Sequence, residues 1–283
     1  MSSALKLVQD ASQRNSTGSK DEGPEAVVRF RGGGFDPRPN AWIGWAAIIG
    51  LVAIWQLAAA SGYLSPLVLP SPVQVGSALL KMAAADDFTS QVSASLSRVA
   101  SGWLIGTIMG LIVGCAMGVF SIARAGALPI VSGLYPIPMI AILPLLIVWL
   151  GIGESSKTAV IVLGVFSPTV ISTFSAVDNV PRGLIRMGQS FGLSWRSIVL
   201  KIILPGSLPG VLAGFRITAA IALILLVSAE MIGAEYGIGA LILLAGNLMQ
   251  TDRLVAGVLL LSATGLVISW LLGRLEKALL KWR

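Results

Sequence analysis

Two ionisable side chains, Arg216 and Glu230, fall in or at the edge of an apolar run over 208–232. Fourteen residues separate them, so at ~1.5 Å of rise per helical residue they stand roughly 21 Å apart, one near each end of a membrane-crossing helix. They cannot pair with each other. Charge at membrane depth is costly, which makes Glu230 a candidate for facing a cavity, a partner helix or an outer vestibule; a plain interfacial carboxylate is the competing reading. A proton relay would need Asp, Glu or His strung across the core, and the sparse charge of the runs argues against one.

Other reactive chemistry is thin. The sequence has no histidine and one cysteine, Cys115, inside an apolar run. The usual general base, the usual zinc ligand and any disulfide framework are therefore missing, so no catalytic and no metal-ligating residues are assigned. No Gly-x-x-x-x-Gly-Lys-[Ser/Thr] loop is present, so the chain lacks the usual cradle for nucleotide phosphates.

What remains distinctive is backbone chemistry. Pro129, Pro136, Pro138 and Pro144 interrupt the run over 127–150; each removes a backbone donor and tends to kink a helix. Freed carbonyls in a bilayer need a neighbour or a water-lined cavity, and broken helices in transporters border the substrate path. Pro136, Pro138, Pro144 and nearby Trp149 are accordingly path candidates, with Glu230; a kink serving packing alone is the alternative. Gly106, Gly110, Gly114 and Gly118 recur every four residues, which lines one helix face with glycine and lets another backbone approach closely.

The elements that position these residues follow from composition. Of 283 residues, 55% are hydrophobic and 12% charged, against about 25% charged in soluble domains. Six apolar runs reach the length needed to cross a ~30 Å hydrocarbon core: about 42–60, 99–120, 127–150, 157–177, 208–232 and 254–273. An all-α polytopic membrane protein is expected, with residues 1–40 as a flexible cytoplasmic tail and 41–283 as the transmembrane domain. The stretch 61–98 opens with Leu69-Pro70-Ser71-Pro72 and is too polar to cross. With the N-terminus inside, fifteen basic residues fall on the cytoplasmic side and four, Lys81, Arg98, Lys157 and Arg253, on the other. The positive-inside rule therefore puts both termini in the cytoplasm. That bias accounts for the net charge of +7 without a nucleic-acid partner.

Between the fourth and fifth runs lies a cytoplasmic loop, 178–206, too polar to insert. Pro181 followed by Arg182–Ser190 reads as one short helix, Gly192 suits the left-handed position that ends it, and Ser194 can cap a second over Trp195–Ile203, stopped by Pro205. The knob so formed presents Leu184, Ile185, Met187, Phe191 and Trp195 beside Arg and Lys, a patch that suits a protein contact; packing on the membrane domain is the alternative.

Here the sequence resembles the permeases of binding-protein-dependent importers. Arg186-Met187-Gly188-Gln189-Ser190-Phe191-Gly192, then nine residues, then Ile202-Ile203-Leu204-Pro205 is similar to their Glu-Ala-Ala, three residues, Gly, nine residues, Ile-x-Leu-Pro loop. Arg186, Met187 and Gly188 depart from the opening Glu-Ala-Ala. Leu143-Pro144-Leu145, Trp149 to Lys157, Ile203 to Pro209 and Ala229-Glu230-Met231-Ile232 followed by Gly237-Ile238-Gly239 resemble the taurine, aliphatic sulfonate and nitrate branch. The resemblance implies a type I (MetI-like) permease fold working as a homodimer in the bacterial inner membrane. Two ATPase subunits would hold ATP and Mg, none being bound by this chain, and a periplasmic or lipid-anchored binding protein would deliver a small anion. Arg186, Met187, Gly188, Phe191, Gly192, Ser194, Trp195, Ile202, Leu204 and Pro205 become the ATPase-coupling residues. Nitrate, bicarbonate or an aromatic carboxylate are alternative substrates; a secondary transporter or channel is the alternative from another class.

Overall fold

The computed structural model describes residues 41–62, 65 and 67–281; the expected tail, 1–40, lies outside them. The described residues fall into two units that divide between Val52 and Ala53. Helix α1 (Ala41–Ala60) begins in the first and ends in the second. The second then holds α2 (Pro72–Ala83), α3 (Phe88–Val119), α4 (Ser121–Leu134), a 3-10 turn (Met139–Ile142), α5 (Leu143–Leu150) and α6 (Glu154–Asp178). They are followed by α7 (Arg182–Ser190), α8 (Trp195–Ile198), a π-turn (Val199–Ile203), α9 (Leu204–Glu230), α10 (Ile238–Asn247) and α11 (Thr251–Leu279). Among the described residues, five helices are long and apolar enough to cross a membrane, and six spans result if α4 and the Met139–Leu150 segment are one bent crossing.

The Leu69-Pro70-Ser71-Pro72 stretch has a local explanation. Ser71 Oγ accepts from Gln74 N at 3.2 Å while Gln74 Oε1 accepts from Ser71 N at 2.8 Å. This capping box, with Pro72 preset for the first turn, starts α2. Val75 and Ala78 of α2 bury against Ala256 of α11. Downstream the polar stretch does not continue to Arg98: α3 begins at Phe88 and runs unbroken to Val119. Arg98, expected in an outer connection, is instead in a helix and 4% exposed.

The glycine stripe decides how α3 packs. A Cβ at Gly106 would lie 2.7 Å from Val162 O, at Gly110 2.6 Å from Thr169 Cβ, and at Gly114 2.7 Å from Thr173 Cβ; Gly118 abuts Val177 the same way. The partner helix is α6. Dispersion across so close an approach replaces the hydrophobic drive that hydrocarbon surroundings do not supply. On its other side α6 packs with α9, enclosing Val160, Ile161 and Val165 with Ala222, Leu225, Leu226 and Ala229.

The proline-rich third crossing is broken: its two halves meet at 83°. Pro136 and Pro138 stand at the corner, Pro138 preceding the 3-10 turn, and Pro144 occupies the first turn of α5. Leu143 and Leu146 bury in the core, whereas Pro136, Pro138, Pro144, Leu145 and Trp149 are exposed.

Candidate coupling loop and buried charge cluster

The loop folds from its glycines. After α7, Gly192 takes φ +71°, a left-handed value open to glycine at no steric cost. Leu193 N donates to Gly188 O at 3.0 Å and Gly192 N to Gln189 O at 2.9 Å, the paired 6→1 and 5→2 bonds that satisfy carbonyls orphaned at a helix end. Gly188 is buried, with Ile202 Cδ1 2.8 Å from where a Cβ would stand. Ser194 then starts α8, its Oγ accepting from Ser197 N at 3.4 Å.

Pro205 does not stop this second helix. A π-turn over Val199–Ile203 absorbs the missing donor, and the helix passes through Leu204 and Pro205 into α9. Trp195–Glu230 is thus one 36-residue helical element, which ties the loop mechanically to the membrane domain. The outer surface of the loop is apolar: Phe191 is 78% exposed, Met187 56% and Trp195 54%, ringed by exposed Arg182, Arg186, Arg196 and Lys201. Ile202 is half-buried beneath it, and Leu204 and Pro205 are exposed. The Trp195 ring centroid lies 5.3 Å from that of Phe120.

At the other end of α9, Glu230 is buried in a cluster that sequence reasoning did not assemble. Its Oε1 accepts from Ser95 Oγ and Arg98 Nη1, both at 2.7 Å, and its Oε2 from Gly239 N at 2.8 Å. The last bond sets a carboxylate at the N-terminus of α10, where helix amides favour negative charge. Arg98 also forks onto Glu154, Nε to Oε2 at 2.5 Å and Nη2 to Oε1 at 2.6 Å, while Nη1 reaches Tyr236 O at 2.6 Å. Ser95 Oγ accepts from Ile238 N at 2.9 Å and Gln91 Oε1 from Gly237 N at 2.6 Å. One guanidinium therefore joins α3, α6, α9 and the 231–237 connection, a bidentate task for which lysine would not substitute. Arg216, by contrast, pairs with Glu276 at 2.6 Å. Among the described residues the polar partners of Glu230 do not include Pro136, Pro138, Pro144 or Trp149. A periodic signal was present: Gln91, Ser95, Arg98, Gly102 and Gly106 lie on one face at spacings of four and three.

Residues 106–281 match the family described as binding-protein-dependent transport system inner membrane component. The chain is 35% identical over 237 residues to the Escherichia coli (strain K12) taurine transport system permease protein TauC, covering 82% of this chain and 86% of that one. It is 33% identical over 233 residues to the Bacillus subtilis (strain 168) putative aliphatic sulfonates transport permease protein SsuC, covering 82% and 84%. In structure it is similar to a chain of the MetNI methionine ABC transporter in an inward-facing conformation, with a TM-score of 0.58, 23% identity, and 68% and 95% of the chains covered. The chain belongs to the binding-protein-dependent inner membrane components: it is the membrane-spanning permease subunit of an ABC importer, a system completed by a separate ATPase and a substrate-binding protein.

Proposed function

We propose that this permease forms the path for a small organic sulfonate, taurine or an aliphatic sulfonate, and works as a homodimer on two ATPase subunits. The substrate class rests on the relatives named for taurine and aliphatic sulfonates. The observation that carries the mechanism is the continuity of Trp195–Glu230. At ~1.5 Å per residue this element is roughly 54 Å long, enough to span the bilayer from the exposed knob to the charge cluster. With both termini cytoplasmic, the knob faces the ATPase, whose groove receives Phe191, Met187 and Trp195 while Arg186 meets polar groups at its rim. ATP and Mg reside in that partner and none in this chain. Closure of the two ATPase subunits pushes the paired knobs together, and the motion travels along α9 to rearrange the helices held by Arg98 and the exposed edge of the broken crossing. Annular lipid surrounds the remaining apolar helix faces.

The test is reconstitution of the whole complex in liposomes with binding protein loaded in turn with taurine, an alkanesulfonate, nitrate or no ligand. Sulfonate-loaded protein stimulates ATP hydrolysis and uptake. Stimulation by nitrate alone contradicts the substrate assignment.

A further inference from the structure

The charge cluster is unevenly exposed. The side chains of Arg98 and Lys157 are 4% and 8% exposed, whereas that of Glu154, which bridges them, is 64% exposed. Glu230, the other carboxylate, is fully buried and held by Ser95 and an α10 amide. Lys157 is poorly served: its closest carboxylate oxygen among the described residues is Glu154 Oε1 at 3.9 Å, beyond hydrogen-bond length. Arg98, Lys157 and Glu154 border a cavity of about 280 Å³ together with Gly233, Glu235 and Tyr236. Glu154 also borders a shallow, open depression along α6, lined by Thr158, Val162 and Leu163. Glu154 is common to both linings.

We propose that Arg98 and Lys157 form an anion site for which Glu154 is a built-in, displaceable occupant, and that the sulfonate group of the transported molecule takes its place in transit. This rests on the sulfonate reading above and adds the position at which the permease itself meets the anion. The exchange is like for like. A sulfonate carries the same single charge as the Glu154 carboxylate and presents oxygens to the same guanidinium fork, with a third oxygen for the under-used Lys157 ammonium. Arg98 and Lys157 balance Glu154 and Glu230; turning the exposed Glu154 into solvent leaves one net positive charge, which the incoming sulfonate group neutralises. Glu235, which lines the same cavity, is exposed, so its charge stays solvated. Because each anion displaces a tethered rival, binding is weak and reversible, as a path rather than a store requires.

The test is equilibrium binding of radiolabelled taurine and of methanesulfonate to the full-length permease with its ATPase in nanodiscs, without binding protein. Lys157→Gln weakens binding about tenfold, the size of one charge-assisted contact. Glu154→Gln tightens it by a similar factor, about tenfold, because the internal competitor loses its charge. A structural role for Glu154 moves affinity the other way or leaves it unchanged, and either result overturns the proposal. Thermal melting of each variant confirms that the fold is retained. Uptake by the complete system separates the two readings: taurine transport with no binding at this site overturns the site alone. If neither taurine nor an alkanesulfonate is transported the substrate assignment fails, and the site is then decided by whether Glu154→Gln tightens methanesulfonate binding.

Discussion

Removing the Arg98 guanidinium isolates the contribution of the cluster. Its side chain is 4% exposed and that of Glu230 is fully buried, so Arg98→Gln leaves the Glu230 carboxylate buried with a hydroxyl and one amide but no cation. Breaking a buried pair in this way costs ~3–5 kcal/mol. Glu230→Gln costs less, about 1.5–3 kcal/mol, because Arg98 keeps its fork on Glu154 and only charge-assisted bonds are lost. Glu154→Gln costs ~1 kcal/mol or less, since solvent screens an exposed partner. The order of stability is therefore wild type, Glu154→Gln, Glu230→Gln, Arg98→Gln, with the last about 10 °C below wild type for a domain of this size. The assay is retention of the monodisperse peak on size-exclusion chromatography after a temperature series in detergent. Equal melting of Arg98→Gln and Glu154→Gln refutes the claim that the buried partner, and not the exposed one, dominates.

Gly110→Val drives side-chain carbon into Thr169 and the Phe166 carbonyl, and overpacking of this kind costs ~1–3 kcal/mol; the same melting series reads it, with Gly76→Ala, where nothing lies within 4 Å of the added carbon, unchanged or slightly stabilised. Gly192→Val forces a β-branched residue to φ +71°, a strain of ~1–2 kcal/mol confined to the knob; the protein inserts and melts normally, but ATP hydrolysis proceeds with little uptake. Phe191→Asp, a charge on a side chain 78% exposed, leaves melting unchanged while the ATPase no longer co-purifies.

Much of this architecture was legible because bilayers enforce simple rules. Run length gave the number of long apolar helices, five or six among the described residues, and the loop's first helix, Arg182–Ser190, and the left-handed Gly192 followed from helix-ending chemistry. The four-residue glycine period fixed a contact face but not its partner, since α6 carries no matching signature, only small and β-branched residues such as Thr169 and Thr173. Two readings failed for identifiable reasons. Pro205 was expected to end a helix, but a proline's missing donor can be absorbed by one wider turn, and nothing local to Val199–Ile203 announces that turn. Arg98 was placed outside because hydropathy averages over a window and discards phase; the polar residues Gln91, Ser95 and Arg98 share the face that the glycines continue. Their partners, Glu154 and Glu230, are 56 and 132 residues away, a pairing that only the packed helices reveal.

The central claim, that a foreign motor works the α7–α8 knob, is tested most directly by uptake into liposomes containing the permease and loaded binding protein, with the ATPase present, absent or unable to hydrolyse ATP. Substrate accumulates against a gradient only with the active ATPase and ATP. Equal uptake in its absence would contradict it.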